Sequence, residues 1–391
     1  MTPNAHTRIC FVGLENLPVL SRQYNHHGIG GEQVQQTLLA RAFVRRGMAV
    51  SMVVADYGQA DGEVIDGITL IKAHGLTDGI PILRFIHPRL TKLWWALERA
   101  RADVYYVSCA SAQLGIVALF ARLHHRRVVF RVASDSDCDP SALLIRLWRD
   151  KKIYEYGLHR ADVVLVQSAH QMQALQANYG CASRLARMLV DPAASSRPFA
   201  QRDIDVLWVN NLRPLKRPEM VLALARQLPH LRFHIVGGPQ FGYEALYEHV
   251  ALKACRIPNL TFHGQVPYHE ISNYYARARI LINTSEIEGF PNAYLQAWRR
   301  GTPAVATFDP DGVINTHGLG ASARTLNDMV EHINQLACST ALWDEASARC
   351  LAFMDGRYSE SQVMGPYVEA LCASRLPRPN LTTTSRETPS Q

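Results

Sequence analysis

No apolar run in the 391 residues approaches the ~20 needed to cross a bilayer, and MTPNAHTR passes straight into the strand-like ICFVGL without a signal-peptide core. A soluble, cytoplasmic chain is expected. Eight cysteines stand singly at 10, 109, 138, 181, 255, 338, 350 and 372, with no Cys-x-x-Cys pair, which argues against a zinc ribbon or a disulfide framework. Charge is sparse, at 19% against 48% hydrophobic residues, so the chain is too apolar to be disordered and long enough for two domains. Acidic residues are short in one half only. Residues 1–190 hold 22 Lys and Arg against 15 Asp and Glu, a balance of +7, whereas residues 191–391 hold 19 of each. A one-sided basic surface points to an anionic partner, such as nucleic acid, a phosphorylated substrate or a membrane leaflet.

Short β-branched or aromatic runs alternate with helical stretches, the rhythm of parallel sheets built from βαβ units. In the first half, strands are expected near 8–13, 49–55, 103–108, 127–132 and 162–167, with helices near 31–46, 89–101, 110–124, 141–158 and 169–178. A second series has strands near 204–210, 231–236, 260–263, 279–284 and 303–307. The aperiodic DPAASSRPFAQRD, 191–203, reads as a linker, and LPRPNLTTTSRETPSQ as a disordered tail. The fold expected is α/β: two Rossmann-like, doubly wound domains, 1–190 and 204–358, with ligands at the carboxyl ends of the strands in the cleft between them.

The most informative stretch is NTSEIEGFPNAYLQAWRRGTPAVA, 283–306. A strand ends at Ser285, a loop carries Glu286, Glu288 and Gly289, Pro291 suits a first helical turn, and Gly301 and Pro303 close the helix. Loop amides and the helix amino end then face one spot, favourable for phosphate, while Glu288 can accept hydrogen bonds from sugar hydroxyls. Gln296 follows on the same helix. In VLWVNNLRPLKRPEMVLALA, 206–225, an apolar strand runs through a basic turn into a helix, and Arg213, Lys216 and Arg217 can neutralise a diphosphate there.

These two stretches resemble the retaining glycosyltransferases of family 4, which have the two-domain GT-B architecture. The family's signature, Glu, seven residues, Glu, opens as Glu288-Gly289-Phe290 and ends on Gln296, so the second acid is an amide here. Val209, Leu212 and Lys216 match a second pattern, Val-Gly-Arg-Leu, three residues, Lys, but Asn210 and Asn211 replace its Gly and Arg, and Arg213 is expected to supply the missing charge. The resemblance implies a metal-independent transferase without a cofactor, moving a sugar from a nucleoside diphosphate to a hydroxyl of a saccharide or lipid-linked acceptor, and no nucleic-acid partner. It gives catalytic roles to Arg213, Lys216 and Glu288. Asn211, Gly237, Gly238, Gly289, Phe290, Pro291, Asn292 and Gln296 would bind the donor, with Gln296 on its ribose. Gly30 and Gly31 would approach it from NHHGIGGEQ, which resembles the Gly-Gly-x-Glu turn of the family and also contains Gly28. In this architecture the last helix, here 359–373, crosses back to the first domain.

In RVASDSDCDP, 131–140, the alternating Asp135, Asp137 and Asp139 fail as a calcium loop because Pro140 and Arg146 stand where Gly and Glu are needed. Asp135, as a base, and Ser134 and Asp137 are expected to meet the acceptor. The basic, Trp-containing stretches 84–101 and 124–131 admit contact with an anionic membrane. Two rival readings are a sugar-nucleotide epimerase, which needs carboxylates and a His in the cleft, and a non-catalytic binding protein on the same frame.

Overall fold

The computed structural model describes residues 7–24, 29–79, 85–191 and 196–372; Gly28 and the tail from 373 lie outside them. Eight strands form the first sheet: β1 (Arg8–Val12), β2 (Ala49–Val54), β3 (Val64–Ile65), β4 (Ile68–Lys72), β5 (Val104–Ser108), β6 (Arg127–Arg131), β7 (Val163–Val166) and β8 (Arg184–Leu185). Their order is β3-β4-β2-β1-β5-β6-β7-β8, parallel except for the β3–β4 hairpin. The second sheet holds β9 (Ile204–Val209), β10 (Phe233–Val236), β11 (Leu260–Phe262), β12 (Ala278–Asn283), β13 (Ala304–Ala306) and β14 (Gly320–Ser322), ordered β11-β10-β9-β12-β13-β14 and wholly parallel.

Both sheets contain the doubly wound order in which the chain starts in the middle and builds outward to either side. Helices cover both faces, so central strands are apolar throughout: β5 is buried along its whole length, and β9 all but its last residue. The order reverses between β1 and β5 and between β9 and β12, and there the carboxyl ends open a crevice. The turns after β9 and β12, 210–217 and 284–291, therefore meet at the second switch point.

One apolar cluster runs through both domains, from Ile9, Phe43 and Tyr106 to Leu281, Trp298 and Tyr367. The last helix, Glu360–Cys372, lies against the first domain: Glu360 pairs with Arg45 at 2.8 Å and with Arg46, and Arg127 Nη2 donates to the Ala370 carbonyl at 2.6 Å. The linker is anchored at its second end, where Arg202, 1% exposed, donates to the Ala278 and Arg300 carbonyls and to Thr302 Oγ1.

Some local expectations need correction. The helix expected over 141–158 spans only Trp148–Leu158, because Asp139 Oδ1 takes the Ser141 amide at 2.8 Å in a local turn and Leu147 is extended. The strands β3, β4, β8 and β14 were not expected. No helix among the described residues is long and apolar enough to cross a membrane.

Candidate active site in the interdomain cleft

A cavity of about 490 Å³ lies between the domains, at the carboxyl ends of both sheets. Its second-domain wall includes Asn211, Arg213, Lys216, Gly237, Gly238, Glu288, Gly289, Phe290, Pro291, Asn292 and Gln296, and its first-domain wall Gly30, Gly31, Ser134 and Asp137. Of the residues singled out from the sequence, Asp135 and Arg217 are not in the lining.

Lys216 ends a short turn, Pro214–Lys216, that follows β9, and its ammonium pairs with the Glu288 carboxylate from the loop after β12. The side chains are 6% and 13% exposed, so this is a nearly buried ion pair. Thr284 joins the two loops, its hydroxyl donating to the Lys216 carbonyl at 2.6 Å and accepting from Trp208 Nε1 at 3.0 Å. Ser285 Oγ donates to Glu288 at 2.7 Å. Burial opposes ionisation of Glu288, but Lys216, the Ser285 hydroxyl and Arg213 outweigh it and hold the carboxyl below its ordinary value. Burial likewise draws Lys216 down against the pull of Glu288. Arg213 overhangs the cavity with no hydrogen bond or ion pair among the described residues, so its charge is available to a ligand. Arg217 is occupied elsewhere: Nε donates to the Thr284 carbonyl at 2.6 Å and Nη2 to Thr307 Oγ1 at 2.8 Å.

The helix after Pro291 is only Asn292–Trp298, and of the loop amides expected to face phosphate one is already taken. The Phe290 amide donates to Gln167 Oε1 of the first domain at 2.9 Å. Its neighbours act the same way. The Glu288 carbonyl accepts from the Asp135 amide at 2.9 Å, Asn211 Nδ2 donates to the Ile29 carbonyl at 3.0 Å, and Asn292 bridges Gln35 at 2.7 Å and the Gly31 carbonyl at 2.7 Å. Asp311 accepts from the amides of Ala169 and His170 at 2.7 and 3.0 Å. A side chain on Gly289 would lie 2.5 Å from the Ala133 carbonyl, so only glycine lets the domains close this far. Several residues expected to hold the donor thus hold the two domains together.

Gln296 faces the cavity, 8% exposed, with Oε1 accepting from Arg300 Nη1 at 3.0 Å, which leaves its amide nitrogen as the freer group. The oxygen keeps a second lone pair, so the ribose hydrogen bond expected of it stays open. Nearby, Asp191 accepts from the Tyr268 hydroxyl at 2.5 Å, and both line the cavity.

On the first-domain side, Asp137 is 5% exposed and accepts from the amides of Ala133 and Ser134 at 2.9 and 3.2 Å; burial nevertheless pushes its carboxyl up to about 6. The Asp135 carboxylate turns to Gln171 Nε2 at 2.9 Å, out of the lining, and its expected role as a base is corrected for that reason. Glu32 and Arg131 were missed. Burial in the closed cleft pushes Glu32 up to about 8, and Arg131 is 1% exposed. Arg131 had a legible signal, a cation ending the otherwise apolar strand RVVFR at the carboxyl edge where ligands bind. No histidine lines the cavity among the described residues, so the proton-transfer His that an epimerase needs is not in place there. Among the described residues no group of three or more His, Cys, Asp and Glu is arranged to hold a metal. On the outer face, Trp94 packs edge-on to Phe120 at 5.1 Å, whereas Trp95 is 54% exposed.

Residues 204–339 match the family described as "Glycosyl transferases group 1", and residues 30–190 the family described as "Glycosyl transferase 4-like domain". Together the matches span both halves of the cleft. The chain belongs to the GT-B glycosyltransferases. It is 35% identical over 129 residues to a D-inositol 3-phosphate glycosyltransferase of Frankia alni, covering 30% of this chain and 32% of that protein. To the protein of the same name from Mycolicibacterium smegmatis it is 26% identical over 190 residues, 44% of this chain and 42% of that one. The match thus spans less than half the length of these curated relatives. Among solved structures, Anabaena Alr3699/HepE in complex with UDP and glucose aligns with a TM-score of 0.71 at 15% identity, covering 94% of this chain and 99% of that one. Sucrose-phosphate synthase from Thermosynechococcus elongatus aligns with a TM-score of 0.72 at 16% identity over the same shares. At such identities the likeness establishes the GT-B fold.

Proposed function

We propose that this glycosyltransferase moves a sugar from a nucleoside diphosphate donor to a hydroxyl of a saccharide or lipid-linked acceptor, with retention of anomeric configuration, in surface-polysaccharide assembly. The observation that carries the reading is the convergence, in one cavity, of the Lys216–Glu288 pair and the uncommitted Arg213 from the switch point of the second sheet. Departure of a diphosphate from the anomeric carbon builds negative charge on the leaving group and positive charge on the sugar. Two cations in a water-poor cleft stabilise the first, and they do so without reorganising at the moment of reaction. Glu288 orients the sugar hydroxyls and keeps Lys216 extended into the cleft. The UDP and glucose held by the HepE relative favour a uridine donor. No protein nucleophile is assigned, in keeping with same-face attack by the acceptor.

An apolar lip supports an acceptor with a lipid portion. Leu144 and Ile145 line the cavity, while Leu144, Leu147 and Trp148 are 56%, 56% and 74% exposed beside Arg146, Arg149, Lys151 and Lys152.

The test is release of nucleoside diphosphate from a panel of nucleotide sugars, with and without acceptor, by wild-type protein and Lys216→Ala. Wild-type turnover with at least one donor is expected, and a kcat lower by on the order of a hundredfold in the variant. Turnover unchanged by the substitution removes Lys216 from the mechanism. A wild-type chain that binds no nucleoside diphosphate in calorimetry would instead be a binding protein on a glycosyltransferase frame.

A further inference from the structure

Asp191 stands at the start of the interdomain linker, half-buried, and lines the cavity. Among the described residues its one hydrogen bond comes from the Tyr268 hydroxyl, 2.5 Å from Oδ2, so Oδ1 is unspent there. The backbone leading to it is tied to the first domain. Gln35 accepts from the Leu189 amide at 3.0 Å and donates to the Leu189 carbonyl at 2.8 Å. Tyr268 belongs to the second domain, so this carboxylate sits astride the hinge.

Tyr268 opens the helix Tyr268–Arg277, and Ser272, one turn further on, lines the same wall. The Ser272 hydroxyl accepts from Arg300 Nη2. Arg300, 1% exposed, donates through Nη1 to the Gln296 carbonyl at 2.9 Å and to Gln296 Oε1 at 3.0 Å. A single helical turn thus carries the Asp191 carboxylate at one end and, through Arg300, the Gln296 amide at the other. One is a charged acceptor; the other is an amide whose nitrogen is turned away from a buried cation. From the turn after β9, with Arg213 and Lys216, the cavity continues past Gly237 and Gly238 after β10 to Gln265 and Val266 after β11. These strands are neighbours, about 5 Å apart in each step, so the extension has the reach of a nucleoside attached to a diphosphate.

We infer that Asp191 is a donor-binding residue, its carboxylate accepting the 2′- and 3′-hydroxyls of the donor ribose opposite the Gln296 amide. The charge that Gln296 lacks is supplied from the linker. A vicinal diol suits a carboxylate, whose two oxygens can take both hydroxyls with charge assistance. The inference rests on the proposed transfer and deepens its donor site. Since the backbone before Asp191 is held by the first domain and Gln296 lies in the second, a ribose gripped by both resists opening of the cleft.

Calorimetry of UDP against 2′,3′-dideoxy-UDP, with wild type, Asp191→Asn and Gln296→Ala, tests this. Should another nucleoside diphosphate bind more tightly, it and its dideoxy form replace the uridine pair. The wild type is expected to prefer the ribonucleotide by at least about thirtyfold. Asp191→Asn should lose at least about tenfold in UDP affinity while its affinity for the dideoxy form stays unchanged, which also certifies that the variant is folded. Gln296→Ala should keep at least about a tenfold preference, because the carboxylate remains. A linker residue with only a structural role would weaken both nucleotides alike, and that result overturns the inference, as does a wild type indifferent to the two hydroxyls. If Asp191→Asn does not fold, Gln296→Ala decides: a retained preference sustains the carboxylate and a lost one refutes it. A wild type that binds no nucleoside diphosphate defeats the proposed transfer and this inference with it, whereas a wild type whose preference for UDP is unmoved by Asp191→Asn defeats the inference alone.

Discussion

Replacing Gly289 by Ala tests whether domain closure, and not the loop alone, makes the site. The added Cβ would lie 2.5 Å from the Ala133 carbonyl oxygen and 2.9 Å from Gln171 Nε2, about 0.9 Å short of an ordinary 3.4 Å contact on the carbonyl side. The opposing atom is backbone, so the first-domain wall must retreat as a body. Retreat stretches the two bonds that flank Gly289, from the Asp135 amide to the Glu288 carbonyl and from the Phe290 amide to Gln167, both 2.9 Å. Stretching two such hydrogen bonds without breaking them costs about 1 kcal/mol together, and forced overpacking costs about 1–3 kcal/mol, so the closed form should lose roughly 2–4 kcal/mol relative to the open one. At tenfold per 1.4 kcal/mol, kcat/KM for transfer falls by roughly 30- to 700-fold. Each domain keeps its own core, so the melting temperature moves little, while small-angle scattering reports a larger radius of gyration for the UDP-bound variant than for the UDP-bound wild type. An active Gly289→Ala protein with wild-type kinetics and radius would refute the claim that this contact governs closure.

The two arginines of the turn after β9 should part ways. Arg213→Ala removes a side chain with no hydrogen bond or ion pair among the described residues, so thermal stability holds while kcat falls about 10- to 100-fold. Arg217→Ala instead loses the bonds to Thr284 and Thr307, costs about 2–3 kcal/mol in denaturant titration and leaves the donor KM within twofold. The reverse pattern would exchange their roles. Gln296→Glu places a carboxylate against Arg300 Nη1, now 3.0 Å from the amide oxygen; a charged acceptor near the ribose should lower the donor KM about fivefold at constant kcat, and a higher KM would deny Gln296 that position. Glu32 predicts a pH dependence of stability. Its folded value, about 8, lies above its ordinary 4.5, so the native state holds a proton that the unfolded chain releases, and stability falls as pH rises between the two. Above pH 6.5, where Asp135 and Asp137, both raised to about 6, have largely finished titrating, the wild type should lose up to about 1.4 kcal/mol per unit to pH 8 relative to Glu32→Gln, in which the histidines whose folded values burial lowers, such as His234, contribute equally. Parallel curves in denaturant titrations at pH 6.5, 7.25 and 8 would show that Glu32 is not desolvated.

The fold was legible because a buried parallel sheet writes itself as separate apolar runs, and β1, β2, β5, β6, β9 and β12 are such runs. The β3–β4 hairpin was also readable. Asp66 and Gly67, both at positive φ, are the Asp-Gly pair of a tight hairpin turn, flanked by Val64-Ile65 and Ile68-Thr69. The three-residue β14 left no trace, since none of its residues is buried and nothing in GAS distinguishes a strand from a loop. For the site, a local window reveals which loop carries polar groups but not where their hydrogen bonds end. Lys216 and Glu288 could be nominated separately, each at the carboxyl end of a strand, yet their pairing depends on β9 and β12 being neighbours although 72 positions separate the two residues. The clasp between domains is further from reach. Gln167 and Phe290 are 123 positions apart, Gln35 and Asn292 257, and no periodicity in either half anticipates the other. The consequence is physical: amides and asparagines of the second domain that appear, in isolation, free to bind a ligand have been claimed by the first domain. On the proposed reading, the donor falls to groups that closure leaves unspent, among them Arg213, the Lys216–Glu288 pair and Gln296, so that binding and closure draw on different atoms of the same loops and can reinforce one another.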